Sequence, residues 1–131
     1  MENIEDISSI LIYGDIESVW NAITEEDKLT KWYAPGSPWK IPNLREGENV
    51  SFTLMPSVHN NLSEKHPMSL TIEKIIPYKE FSLFLDAMKM LISFVLVEEN
   101  KGIRVTINSA GFNESLANLK ALIEGRELPY R

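Results

Sequence analysis

The chain contains no cysteine. That absence excludes a disulfide framework, thiolate metal sites and a cysteine nucleophile, and it fits a reducing compartment. There is no apolar run of the length a membrane span needs. Basic residues are outnumbered, thirteen against nineteen acidic, and the resulting net charge of -6 is not gathered into blocks. Such a field repels nucleic acid, whose affinity for protein comes largely from clustered Lys and Arg. Glycines do not cluster into a phosphate cradle, and neither a repeat nor a low-complexity tract is present. The opening stretch MENIEDISSILIYGDIESVW carries acids where an export signal carries lysines. The expectation is therefore a cytoplasmic protein without a membrane partner.

What is present is the composition of an ordinary globular domain. With 131 residues, 44% of them hydrophobic, the chain is long enough to bury a core without disulfides or a structural metal. Residues 1–131 are read as one domain. Ile4 to Tyr13 suits a strand, with Ile10 and Ile12 on one face and Leu11 and Tyr13 on the other. Asp15 can cap a short helix whose stripe is Ile16, Val19, Trp20 and Ile23. Thr24 before EEDKLTKW reads as the start of a second helix, with Leu29 and Trp32 inward. APGSPWKIP holds three of the seven prolines and is a loop with a short strand around Trp39 to Ile41.

From Val50 onward the period is two. Val50, Phe52 and Leu54 alternate with Ser51 and Thr53, and Met68, Leu70 and Ile72 alternate with Ser69 and Thr71. Between these strands MPSVHNNLSEKHP reads as an exposed connection. EFSLFLD, MLISFVLVEE and GIRVTINS follow, and turns as short as EENKG make neighbouring strands antiparallel. The last element is a helix. Phe112, Leu116, Leu119 and Ile123 fall on one stripe with Leu122 alongside, Asn113, Glu114, Asn118 and Lys120 point toward water, and Gly125 marks the stop.

This order of elements resembles the helix-grip fold, also called START-like or birch-pollen-allergen-like. IESVWNAITEEDKLTKWYAPG, residues 16–36, is similar to that superfamily's Val-Trp helix, Thr-capped turn and Trp-aromatic pair before a proline. NLREGENVSFTL resembles its Arg-Xaa-Gly-Gly strand entry, and GFNESLANLKALIEG resembles its Gly-aromatic-Xaa-Glu-Ser-Leu helix. Together they are similar to the branch named for the activator of the heat-shock protein 90 ATPase. The resemblance implies an α+β fold, a curved antiparallel sheet of about six or seven strands wrapped on a long C-terminal helix, with two short helices after the first strand. Two departures are local: Glu48 stands where a second glycine is usual, and Tyr13-Gly14 replaces Ala-Pro. Nothing corresponds to the separate N-terminal domain with which the eukaryotic activator stimulates its chaperone, so that activity is not carried over. For stand-alone relatives the resemblance implies binding of a small, largely apolar molecule, with no cofactor.

Candidate residues each have a plain reading beside the functional one. His59 and His66 flank Glu64 in the polar connection and lack metal-binding spacing, so they are read as solvated. Asp86 is either a turn opener, the favoured reading, or a buried acid able to move protons, as a cyclase or aromatase would require. Arg45 is a surface ion-pair partner or faces an acidic ligand group, and Met55, Met68, Met88 and Met90 are read as packing before ligand contact. For Trp32, Tyr33 and Trp39, around the proline-rich loop, pocket mouth and plain packing both stand. The inward residues expected to line a pocket are Phe52, Leu54, Leu70, Phe94, Phe112, Leu116 and Leu119. The expected function is carriage or sensing of a small hydrophobic molecule by a monomer or weak homodimer. A chaperone-interacting module is the alternative, and a cyclase-type enzyme the third reading.

Overall fold

A computed structural model of the chain describes residues 7–57 and 60–130. Seven strands form one antiparallel sheet: β1 (Ser8–Ile12), β2 (Trp39–Lys40), β3 (Asn49–Leu54), β4 (His66–Ile76), β5 (Glu80–Leu85), β6 (Met90–Glu99) and β7 (Gly102–Ile107). Their order across the sheet is β1-β7-β6-β5-β4-β3-β2. Helices α1 (Ile16–Thr24) and α2 (Glu26–Trp32) follow β1, and α3 (Asn113–Glu124) follows β7. The expected α+β helix-grip architecture is what the chain adopts. The strand read from Ile4 is described from Ser8; residues 4–6 lie outside the described residues, as does His59.

Alternation sets the two faces. On β3, β5 and β7 the inward sets Val50 and Phe52, Phe81, Leu83 and Leu85, and Ile103, Val105 and Ile107 are all buried. Period-two strands leave intervening side chains on the outer face, where Ser82 and Ser93 meet across β5 and β6 at 2.9 Å. A bulge between Ile72 and Lys74 breaks the β4 alternation and lets that long strand pair with β3 at one end and β5 at the other. The strand entry before β3 turns at Gly47, whose φ of +89° suits glycine. Among the described residues Arg45 pairs with Glu48, at 3.3 Å on the surface.

The helix termini follow local chemistry. The Asp15 carboxylate accepts from the Ser18 N–H at 2.7 Å, the cap expected for α1. Thr24 differs from expectation: it is the last residue of α1, its hydroxyl donating to the Trp20 carbonyl, and Glu25 caps α2 without a side-chain bond. The reason is that Thr24 is buried, and a hydroxyl with no water bonds back to its own helix. His66 differs too, beginning β4 opposite Leu54 rather than lying in the connection.

Helix α3 buries Leu116 and Leu119 completely and ends at Gly125, φ +76°. Its closest backbone neighbours are β1, α1 and α2. It therefore covers the β1 side of the concave face more closely than the β2–β5 side. Asn118 corrects the reading of α3: it is buried, its amide donating to the carbonyls of Trp32 and Tyr130 and its oxygen accepting from the Tyr130 N–H at 2.9 Å. The chain beyond Gly125 folds back across the helix and supplies partners that a bare helical pattern does not foresee.

Candidate functional site

Where α3 leaves the concave face uncovered, a half-open cavity of about 340 Å³ remains. Its floor comes from inward residues of β3 to β6, among them Phe52, Leu54, Leu70 and Ile92. Tyr33 and Ala34, just after α2, form one wall together with Trp39 of β2, and Phe112 and Ser115 at the start of α3 form another. Met88 stands at the rim, 67% exposed, with Met68 and Met90 deeper.

Helix α2 fixes the aromatic wall. The Thr30 hydroxyl accepts from the Trp39 N–H at 3.1 Å, and the Ser115 hydroxyl donates to the Tyr33 carbonyl at 2.6 Å. Tyr33 stands edge-on to Trp39 and Phe52, with ring centroids 5.2 and 5.3 Å away. These contacts lock the rings in the edge-to-face geometry favoured by aromatic quadrupoles. Such a wall is preformed.

A second chamber, about 300 Å³, adjoins the first and shares Tyr33, Ala34, Leu54, Gly111 and Ser115 with it. Its remaining lining is more polar and includes Ser37, Asn60, Glu114 and Asn118. Much of that polarity is engaged in holding the backbone. Ser37 accepts from the Met55 N–H, and the Asn60 amide donates to the Met55 carbonyl.

The electrostatics of the two chambers are sparse. No Lys, Arg or His among the described residues lines either one, and Glu114 is the acidic member. Protein surrounds the Tyr33 ring on most sides, and burial pushes its hydroxyl well above the usual phenol range, so it stays neutral. Trp39 is 3% exposed, and its indole N–H has no hydrogen-bond partner among the described residues. A buried donor left unpaired costs about 1–3 kcal/mol. Asp86 opens the β5–β6 turn and accepts from the hydroxyls of Ser69 and Thr71 on the outer face, so it contributes no acid to the cavity. Among the described residues no cluster of His, Asp or Glu could hold a metal ion.

Of the residues expected at a pocket, Tyr33, Trp39, Phe52, Leu54, Leu70 and Phe112 lie on the cavity wall. Trp32, Phe94, Leu116 and Leu119 do not: all four are fully buried in the solid core, and the Trp32 indole donates to the Ala22 carbonyl at 2.8 Å. Leu116 and Leu119 lie on the part of α3 that packs on β1, α1 and α2, and the rings of Trp32 and Phe94 meet edge-on at 6.2 Å inside the core. Leu85 and Ile92 are wall residues the sequence did not single out, and Met68, Met88 and Met90, read first as packing, line the wall as well. Their signal was the position of the methionines at strand ends, where adaptable side chains meet an opening.

Among the described residues no helix is long and apolar enough to cross a membrane. No curated protein matches the chain in sequence. Solved structures similar to it include a protein from Bordetella parapertussis (15% identity, TM-score 0.72, covering 98% of this chain and 79% of that one). An AHSA1-like protein from Aeromonas hydrophila follows at 19% identity and TM-score 0.66, covering 91% and 92%. The Aha1 dimer from Colwellia psychrerythraea is similar at 17% identity and TM-score 0.64, covering 93% and 97%. At these identities the likeness is one of fold. The family model described as "Activator of Hsp90 ATPase homolog 1-like protein" matches residues 14–128, and the chain, with its helix-grip sheet and terminal helix, belongs to that family.

Proposed function

We propose that the chain is a carrier or sensor that binds a small, largely apolar molecule in the cavity between the sheet and α3. The observation that carries this reading is the apolar, half-open cavity of about 340 Å³. Left dry at about 24 cal/mol per Å³, a void of that size would cost about 8 kcal/mol, comparable with the whole stability of a domain. Being half-open, the space holds water in the free chain rather than standing dry, and its apolar wall favours a ligand over that water. Binding would release the water and lay the ligand's body against Phe52, Leu70 and Met90, with the exposed Met88 side chain at the mouth.

Thermal shift and NMR titration against lipids, flavonoids and polyketides test the reading. Chemical-shift changes clustered on Tyr33, Trp39 and Phe112 are expected, and no response to any compound would sink it. The family's description directs the competing reading, a module acting on a chaperone ATPase. If the chain leaves the rate of Hsp90 ATP hydrolysis unchanged, that reading is removed.

A further inference from the structure

The two chambers meet along Tyr33, Ala34, Leu54, Gly111 and Ser115, and Tyr33 is the one titratable side chain among these five. Its backbone is fixed at both ends: the N–H donates to the Leu29 carbonyl at 3.0 Å, and the carbonyl accepts from the Ser115 hydroxyl at 2.6 Å. The ring stands among those of Trp32, Trp39, Phe52, Phe94 and Phe112, with centroids 5.2 to 6.4 Å away. Its hydroxyl makes no hydrogen bond among the described residues, and burial is what acts on its acidity.

That hydroxyl is open to the chambers. The one unpaired side-chain polar atom sealed from solvent among the described residues is the Trp39 indole nitrogen. The unpaired Tyr33 hydroxyl therefore keeps accessible surface, and on a half-buried ring enclosed by five others that surface belongs to the chambers it lines. A ligand entering there displaces water from the phenol, and one that presents carbon to it loses the bond without replacement.

Charge narrows the choice. No Lys, Arg or His among the described residues lines either chamber, and Glu114 adds negative charge to the more polar one. A carboxylate would enter without a counter-charge, which is costly in an apolar space. Resting on the binding function proposed above, we infer that the Tyr33 hydroxyl selects the ligand: where the two chambers meet, it donates a hydrogen bond to an uncharged carbonyl oxygen on a molecule whose apolar body occupies the larger chamber.

An isosteric pair tests this. A cavity of about 150 Å³ suffices for benzene, so one of about 340 Å³ has room for about two fused rings with a substituent. 2-Acetylnaphthalene and 2-isopropenylnaphthalene share one shape and differ by an oxygen replaced with CH2, and 2-naphthoate adds a charge. By calorimetric titration the acetyl compound is expected to bind about fivefold more tightly than the isopropenyl one, the worth of one net hydrogen bond, and 2-naphthoate more weakly than the acetyl compound. The ketone stretch of bound 2-acetylnaphthalene, read by infrared difference spectroscopy, should lie below its frequency in an apolar solvent. Tyr33→Phe keeps the ring and removes only the oxygen, so it should erase both the preference and the lowered stretch while retaining the isopropenyl compound. Equal affinities for the isosteric pair in the wild-type chain, a preference or lowered stretch that survives in Tyr33→Phe, or tightest binding of 2-naphthoate would each overturn the inference while leaving a binding cavity intact. No binding by any of the three overturns both.

Discussion

Asn118 ties three segments together, and its removal shows how much one side chain can hold. Asn118→Leu would leave the carbonyl of Trp32 and the Tyr130 backbone without their bonds to the amide. At about 1–3 kcal/mol for each buried polar group so abandoned, a loss of about 3 kcal/mol is expected, visible as a lower urea midpoint at unchanged slope. An unchanged midpoint would mean the tail bonds carry no weight. The periodicity of α3 could not reveal this role, because a polar residue one step off the apolar stripe reads as solvent-facing until the chain beyond Gly125 folds back over it. Leucines divide in the same way. Leu119→Ala, in the solid core, should cost about 3–5 kcal/mol, and Leu70→Ala, on the wall of an existing cavity, about 1–2 kcal/mol. Chemical denaturation of both variants checks the difference, and equal costs would argue that the cavity is closed in solution.

At the scale of elements, the end of α3 is clasped to β1. Glu124 accepts from the Lys120 ammonium at 2.8 Å, the Tyr13 N–H at 3.0 Å and Arg126 at 2.8 Å, while Lys120 lies 4.6 Å from the centre of the Tyr13 ring. Partial burial by itself would raise the Glu124 carboxyl; the three donors outweigh it and bring it down from 4.5 to about 2. A group with a depressed folded value stabilises above its unfolded value and loses that contribution as pH falls. Thermal midpoints of the parent chain should therefore fall between about pH 4.5 and 2 more steeply than those of Glu124→Gln. Parallel curves would refute the clasp. Gly125→Ala, forced to φ +76°, should cost about 1 kcal/mol by the same denaturation measurement. These termini were readable from sequence because capping is local: Asp15 and Gly125 act through neighbours within a few positions. Thr24 was misplaced because burial, a long-range property, decided what its hydroxyl would bond.

At the scale of the whole molecule, the cavity exists because the concave sheet is wider than the helix that covers it. Filling it should be tolerated where filling a solid core is not. Leu70→Phe is expected to leave the thermal midpoint level or raise it and to weaken ligand binding at least tenfold, whereas Leu83→Phe in the packed core should cost about 1–3 kcal/mol. Calorimetry with a bound probe checks both, and undiminished binding by Leu70→Phe would place the ligand elsewhere.

The sequence by itself determined the order of the elements, their helical or extended character and the antiparallel pairing, because side-chain period and turn chemistry act over short distances; the facing of the continuously apolar strands β5 and β6 it left open. Six of the ten expected pocket residues lie on one wall: four are on β2 to β4 and the other two, Tyr33 and Phe112, flank the helices that face them. Only the tertiary structure decided that Trp32, Phe94, Leu116 and Leu119 are solid core while Met68, Met88 and Met90 face open space. The physical reason is that inward and pocket-facing side chains share one pattern. What separates them is where α3 comes to rest across the sheet, set by packing between segments about a hundred residues apart, as the bond from the Ser8 hydroxyl to the Ser109 carbonyl illustrates (|i−j| = 101).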